Sequence, residues 1–285
     1  MSFTKNISIF VEIKFKNMRT KQLSLILSLV FTTVMTLDAM AWGGLGHRTI
    51  AEIAERHLTP TAKANIEKYT GGTPLADYSI WLDMVRKNEP YYAELTDGWH
   101  ASIVTADCKS LHEVREKYRK GRDAVSVTLM YEEMFRHREK LTDSAVMVAI
   151  KAIVHMVGDM HCPAHVRYTD NDNGCKFNIT YLGYDRTYHR VWDASILNYG
   201  HKKWSYQQYA DKLDTYNAKE IKRVTAGWLE DWMEENGRVV RPTLDWVKPG
   251  DELYLDFVEK AQPMAHELIQ KAGYRLAKVL NVFFK

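Results

Sequence analysis

The sequence predicts a mainly α, single-domain helical bundle over residues 42–285, with at most a short β hairpin. Apolar residues recur at helical spacing in one segment after another, whereas strand-like runs are scarce. No internal repeat, low-complexity tract or Pro/Gly/Ser-rich linker divides the chain. With 46% hydrophobic residues in 285, it can bury a substantial core without staples.

Residues 1–41 read differently. Met18-Arg19-Thr20-Lys21 makes a basic start, Leu23 to Val34 a largely apolar run, and Ala39-Met40-Ala41 a small-x-small cleavage site. That pattern is a secretory signal peptide. Residues 1–17 mix Phe and Ile with Lys, so translation is expected to begin at Met18 and the leader to be 18–41. Nothing later approaches the roughly 20 apolar residues of a spanning helix. The mature chain is expected to be exported, secreted or periplasmic, and free of the membrane.

After Trp42, Gly43-Gly44-Leu45-Gly46 makes a turn, and His47 opens a helix carried by Ile50, Ile53, Ala54 and Leu58. Thr59-Pro60 reads as cap and first turn of the next helix. Further helices are predicted around Ser79–Lys87, Leu111–Tyr118, Asp123–Lys140 and Asp143–Met160, between Tyr206 and Glu235, and from Pro263 to Val282. Phe177–Leu182 is the clearest strand. In Asp143–Met160, Val146, Ile150, Ile153 and Val157 form one apolar stripe, while Val148, Ala152, His155 and Asp159 lie opposite. Such a helix is buried nearly all round. Its His and Asp then face an interior that tolerates no unpaired charge, and a metal ion is the obvious partner.

The formal net charge is +3. Residues 1–41 hold five basic groups (Lys5, Lys14, Lys16, Arg19, Lys21) and two acidic ones (Glu12, Asp38), so residues 42–285 sum to zero. That argues against a domain that clamps nucleic acid through a bulk basic excess. If the protein handles phosphates, bound metal must supply much of the attraction. Cys108, Cys162 and Cys175 allow one disulfide and one leftover thiol in an exported protein; Cys162 with Cys175 is the more local pairing.

His155 and Asp159, at i and i+4, share a helix face and can reach one cation. His189-Arg190-Val191-Trp192-Asp193 repeats the spacing, and His165 follows Asp159 across Cys162-Pro163, where proline should turn the chain back. Imidazole plus carboxylate is the ligand set of a catalytic zinc that retains water. Cleavage after Ala41 would leave Trp42 with a free amine and a carbonyl, both able to chelate.

Trp42-Gly43-Gly44-Leu45-Gly46-His47, Trp81-Leu82-Asp83, Trp99-His100, His155-x-x-x-Asp159 with His165, and His189-x-x-Trp192-Asp193 follow one another in a set order. In that order and spacing the chain resembles the trinuclear-zinc nucleases of the P-one and S-one type, which share a helical fold with zinc phospholipase C. The likeness runs from Trp42 to a last helix whose Gly273-Tyr274-Arg275-Leu276-Ala277 and Leu280-Asn281 are similar to the family's ending. It implies three zinc ions. Asp83, His100, His155 and Asp159 would hold one; the amine and carbonyl of Trp42, His47 and the bridging Asp159 the second; His165, His189 and Asp193 the third. Arg86 matches the family's phosphate-contacting arginine, and Asp83 with Arg86 would carry the catalysis.

The activity implied is hydrolysis of single-stranded DNA or RNA to 5′-phosphate products by a monomer, with 3′-nucleotidase action on nucleotides as well. Two departures stand out: Ala101 occupies the place of a base-stacking aromatic, and Tyr168–Gly174 lacks the family's Gly-Gly-Asn. The alternative is a zinc phospholipase C acting on phospholipid head groups. The gap of five from Trp42 to His47, and Asp rather than Glu at Asp193, favour the nuclease. His57, His112, His137, His161, His201 and His266 are left unassigned, and Trp81, Trp99 and Trp192 are expected to pack beside the ligands.

Overall fold

The computed structural model describes residues 42–285; the leader expected within 1–41 lies outside them. The chain forms helices α1 (Gly44–Arg56), α2 (Pro60–Thr70), α3 (Leu75–Tyr78), α4 (Trp81–Asn88) and α5 (Pro90–Leu95), then strand β1 (Ser102–Val104). Helices α6 (His112–Arg119), α7 (Ala124–Phe135) and α8 (Asp143–Met160) follow, then β2 (Val166–Tyr168), β3 (Asn178–Tyr181) and β4 (Tyr184–Thr187). Next come α9 (Tyr188–Arg190), a π turn (Val191–Ser195), α10 (Ile196–Asn198), α11 (Tyr206–Leu213), α12 (Ala218–Val224) and α13 (Leu229–Val240). Strand β5 (Glu252–Leu253) and helix α14 (Leu255–Phe283) complete the chain. The mainly α fold expected from the sequence is the one observed.

Helix α8 runs through the centre. Thr142 caps it, its hydroxyl accepting the Ala145 amide, as an N-cap side chain should. From Ala149 to Met160 only Lys151 reaches the surface, its amine lying over the rings of Tyr78 and Trp81. Ile150 and Ile153 are fully buried, and truncating either to Ala should cost about 2–5 kcal/mol. Helices α7, α14, α4 and α1 pack around α8.

Thr59 caps α2 with Pro60 in its first turn, as read from the sequence. Its amide also donates to Asn281 Oδ1 at 2.7 Å, and Asn281 Nδ2 donates to the His57 carbonyl at 3.0 Å. The end of α14 is thereby pinned to the α1–α2 corner. Helix α14 begins eight residues before the Pro263 start expected from the sequence. Pro263 sits inside it on an exposed face, where the N–H it lacks is not one the packed side of the helix needs. The predicted Asp123–Lys140 helix breaks after Phe135 and resumes as a 3-10 turn at Arg138–Lys140.

Strand β3 falls within the expected run and pairs with β4 in an antiparallel hairpin. Its turn, Leu182-Gly183, has φ of 51° and 81°, as a tight two-residue hairpin turn requires. Strand β5 adds to β3 in parallel. The parallel pair β1–β2, with Ser102 opposite Val166, is too short to leave a periodic signal in sequence. It matters for the site, because β1 starts two residues after His100 and β2 directly after His165.

Candidate metal centre

Seven segments deliver side chains to one buried point. Helix α1 supplies His47, α4 Asp83, the loop after α5 His100, and α8 both His155 and Asp159. The 3-10 turn Pro163–His165 supplies His165, α9 His189 and the π turn Asp193. Pro163 ends the helical run after α8 and folds the chain back, so His165 returns to the helix it has just left. Its Nδ1 is hydrogen bonded to the His100 carbonyl, which locks the two histidine segments where β1 and β2 pair. The widened π turn lets Asp193 point inward within an otherwise continuous helical stretch, a feature common at functional sites.

Asp159 is the hub. Its Oδ1 lies 3.2 Å from His47 Nε2; its Oδ2 lies 3.0 Å from His100 Nδ1, 3.2 Å from His155 Nε2 and 3.6 Å from His165 Nδ1. Asp83 Oδ1 stands 3.7 Å from His100 Nδ1 and 3.8 Å from His155 Nε2. Asp193 approaches His165 Nε2 at 3.7 Å and His189 Nε2 at 3.0 Å. His47 stacks on His155, and His165 on His189. His155 is aimed by its other nitrogen, which bonds the Ser79 carbonyl at 2.7 Å, fixing ring and tautomer as metal-ligand histidines require.

Burial works against the charge of Asp159, yet His155 and His165 hold its carboxyl well below the usual carboxylate range. Burial also pulls His155 down, but Asp159 and Asp83 outweigh it and hold the imidazole at about 9. His47 and His100 are pushed down, chiefly by burial.

The donors fit a metal. His47 Nε2, Asp83 Oδ2, His100 Nε2, Asp159 Oδ1, His165 Nε2, His189 Nδ1 and Asp193 Oδ2 are all buried without a hydrogen-bond partner. His47 Nε2 and Asp159 Oδ1 are close enough to bond but misaligned for it, so both are directed at a shared space. Unbonded buried polar atoms are costly, and so many together mark a ligand site. Three groups could each hold an ion: His47, His155 and Asp159; Asp83, His100 and His155; and Cys162, His165 and Asp193, with ligand atoms in each group within 4.8 Å of one another.

The disulfide expected between Cys162 and Cys175 is absent: Cys108, Cys162 and Cys175 are all buried free thiols. The Cys162 thiol is engaged elsewhere, donating to Asp193 Oδ1 at 3.3 Å. Trp42 is fully buried; its backbone N–H reaches Cys162, and its carbonyl accepts the His47 amide at 3.2 Å. Gly43 packs against Asp193 and Ala194. Trp42 and Gly43 thus lie beside His47 and Asp193.

The centre opens into a cleft of about 370 Å³ whose lining includes Asp83, Arg86, His100, His165 and His189. Arg86, half exposed, stands at its rim 4.0 Å from Asp97. Ala101 lines the cleft too, leaving no ring to stack on a base there. Arg119, Arg167 and Lys176 complete the basic lining; sequence reading missed all three, because nothing in their spacing separates them from ordinary surface cations.

The sequence profile of the S1/P1 nuclease family matches residues 42–285. This chain belongs to the S1/P1 nuclease family. Nuclease S1 of Aspergillus oryzae is 25% identical over 267 residues, covering 85% of this chain and 91% of that protein. Nuclease P1 of Penicillium citrinum is 24% identical over 274 residues, 84% of this chain and 97% of that protein. Endonuclease 2 of Arabidopsis thaliana is 22% identical over 271 residues, 85% and 90% respectively. The His/Asp centre is thus the metal-capable site of an S1/P1 nuclease family chain. Among the described residues no helix is long and apolar enough to cross a membrane.

Proposed function

We propose that the protein is an exported zinc-dependent endonuclease that hydrolyses single-stranded DNA or RNA to 5′-phosphate products and acts on nucleotides as a 3′-nucleotidase. The observation that carries this reading is the convergence of eight His and Asp side chains, most with an unbonded buried atom, at the floor of a basic cleft. Nitrogen and carboxylate donors without a committed cysteine thiolate suit a zinc that retains water.

Asp83, His100, His155 and Asp159 would hold one zinc; Trp42, through its amine and carbonyl, with His47 and Asp159 a second; and His165, His189 and Asp193 a third. Bound zinc supplies positive charge to the phosphate oxygens and acidifies water near neutral pH. The chain's own residues do the rest. Asp159, reached by both α1 and α8 donors, sets the spacing between the first two sites. Ser79 and His100 carbonyls orient His155 and His165. Arg86 at the rim supplies a guanidinium to a phosphate oxygen as negative charge builds. In a chain whose residues 42–285 are neutral, this local charge draws the substrate. The working protein is a monomer beginning at Trp42, with the leader directing it to the periplasm or outside.

Purified 42–285 offered single-stranded DNA, RNA, 3′-AMP and phosphatidylcholine tests the reading. Cleavage of the nucleic acids to fragments with 5′-phosphate ends is the expected result. Hydrolysis of phosphatidylcholine with the nucleic acids untouched would overturn it.

A further inference from the structure

We propose that Arg119, Arg167 and Lys176 form a phosphate subsite beside the metal centre that takes a non-scissile phosphate of the substrate strand, an assignment that rests on the nuclease reading above. All three line the cleft that holds His100, His165 and His189. They come from separate segments: Arg119 ends α6, Arg167 lies in β2 two residues after His165, and Lys176 follows the loop 169–175.

Arg167 is the anchor. It is only 4% exposed. Its Nη1 donates to the carbonyls of Ala164 at 2.6 Å and Val166 at 3.2 Å. Among the described residues no carboxylate stands within ion-pair distance of it. A buried guanidinium without an anion is costly. Gly174, at φ +55°, lies against this group: a Cβ there would come within 2.6 Å of Arg167 Nη1. The loop can close over the guanidinium because that residue has no side chain.

Arg119 is paired with Asp172 of the same loop, a side chain more than half exposed, while its Nε is buried without a hydrogen-bond partner. Lys176 is pushed down by burial and then by the nearby charges of Arg167, Arg119 and Arg86. Three cations thus crowd one wall against a single solvated carboxylate. Forked guanidiniums with a lysine point charge suit the oxygens of a phosphate. The metal centre takes the phosphate that is cleaved. A strand carries another one nucleotide away, and that is the group this wall is built to receive.

Thymidine dinucleoside monophosphate, with and without an added 5′- or 3′-phosphate, tests the subsite on the metal-loaded protein. Wild-type kcat/KM should rise about tenfold or more when the phosphate is added at one end, the scale of one charged hydrogen bond. Arg119→Gln and Lys176→Gln, both at solvent-reaching positions, should each remove most of that gain. The salt dependence of KM on single-stranded DNA should become shallower by ~0.7 in log–log slope per lost contact. Indifference of the wild type to the added phosphate, or an equal loss on both substrates in the variants, would overturn the subsite while leaving the nuclease reading intact. Failure of the wild type to cleave any nucleic acid would overturn both.

Discussion

His47 Nε2 and Asp159 Oδ1 stand 3.2 Å apart, both fully buried, without a hydrogen bond between them. The α1 histidine and the α8 carboxylate share a space that neither fills. Asp159 also approaches His100, His155 and His165, whereas the histidines that Asp193 approaches are His165 and His189. Asp159→Asn should therefore be the more damaging substitution. It should lose about two zinc ions and more activity than the 10–100-fold that an outer-shell change costs. Asp193→Asn should lose about one. Equal zinc loss and equal residual activity in the two variants would contradict the bridging role.

Gly158 lies between His155 and Asp159, and a Cβ there would meet His47 Nδ1 at 2.8 Å. An exposed helical Gly→Ala change gains up to about 1 kcal/mol. Here the methyl enters a packed interior, where overfilling costs about 1–3 kcal/mol. Gly158→Ala should lower the melting temperature and the zinc content together. Full zinc at wild-type stability would show that His47 is not held against α8.

Trp42 is threaded beside Cys162, His47 and Asp193 and has φ 28°, a conformation that disfavours an aromatic residue within a continuous chain. In the proposed reading, cleavage after Ala41 would free the amine, whose ordinary pKa of about 7.7–8.0 makes ligation inexpensive at neutral pH. A version starting Met-Ala-Trp42 should keep its fold, lose about one zinc and lose most activity. Equal zinc and turnover in the extended protein, verified intact by mass spectrometry, would contradict the role of Trp42.

His266, away from the metal centre, has its pKa lowered to about 4 by burial, with Lys212 and His201 adding to it. Its Nε2 lies 2.6 Å from the Tyr209 hydroxyl. The unfolded ring takes its proton near 6.5 and the folded one only near 4, so the unfolded state binds more protons between those values. Stability should fall as pH drops through that window, by less than the ~1.4 kcal/mol per pH unit of a fully shifted group. Thermal melts of His266→Gln should show a smaller acid-side loss than wild type; parallel curves from pH 7 to 4 would contradict this.

Much of the fold was legible because its central helix announces itself. Asp143–Met160 carries apolar residues on both faces, and the structure buries it with His155 and Asp159 facing inward. The ordered His and Asp motifs likewise converge, since i and i+4 spacing and Pro163 constrain them locally. The three-residue strands β1 and β2 were not legible, because their pairing depends on partners 64 residues apart. Nor were Arg119, Arg167 and Lys176, which tertiary folding alone brings to one wall. Cys162 and Cys175 were misread as a bridge: proximity in sequence says nothing of the Asp193 carboxylate that engages the Cys162 thiol.

Elemental analysis of residues 42–285, purified without chelator, tests the central claim most directly. The nine ligand positions Trp42, His47, Asp83, His100, His155, Asp159, His165, His189 and Asp193 predict about three zinc ions per chain, with activity lost on chelation and restored by zinc. One ion or none per active chain would contradict it.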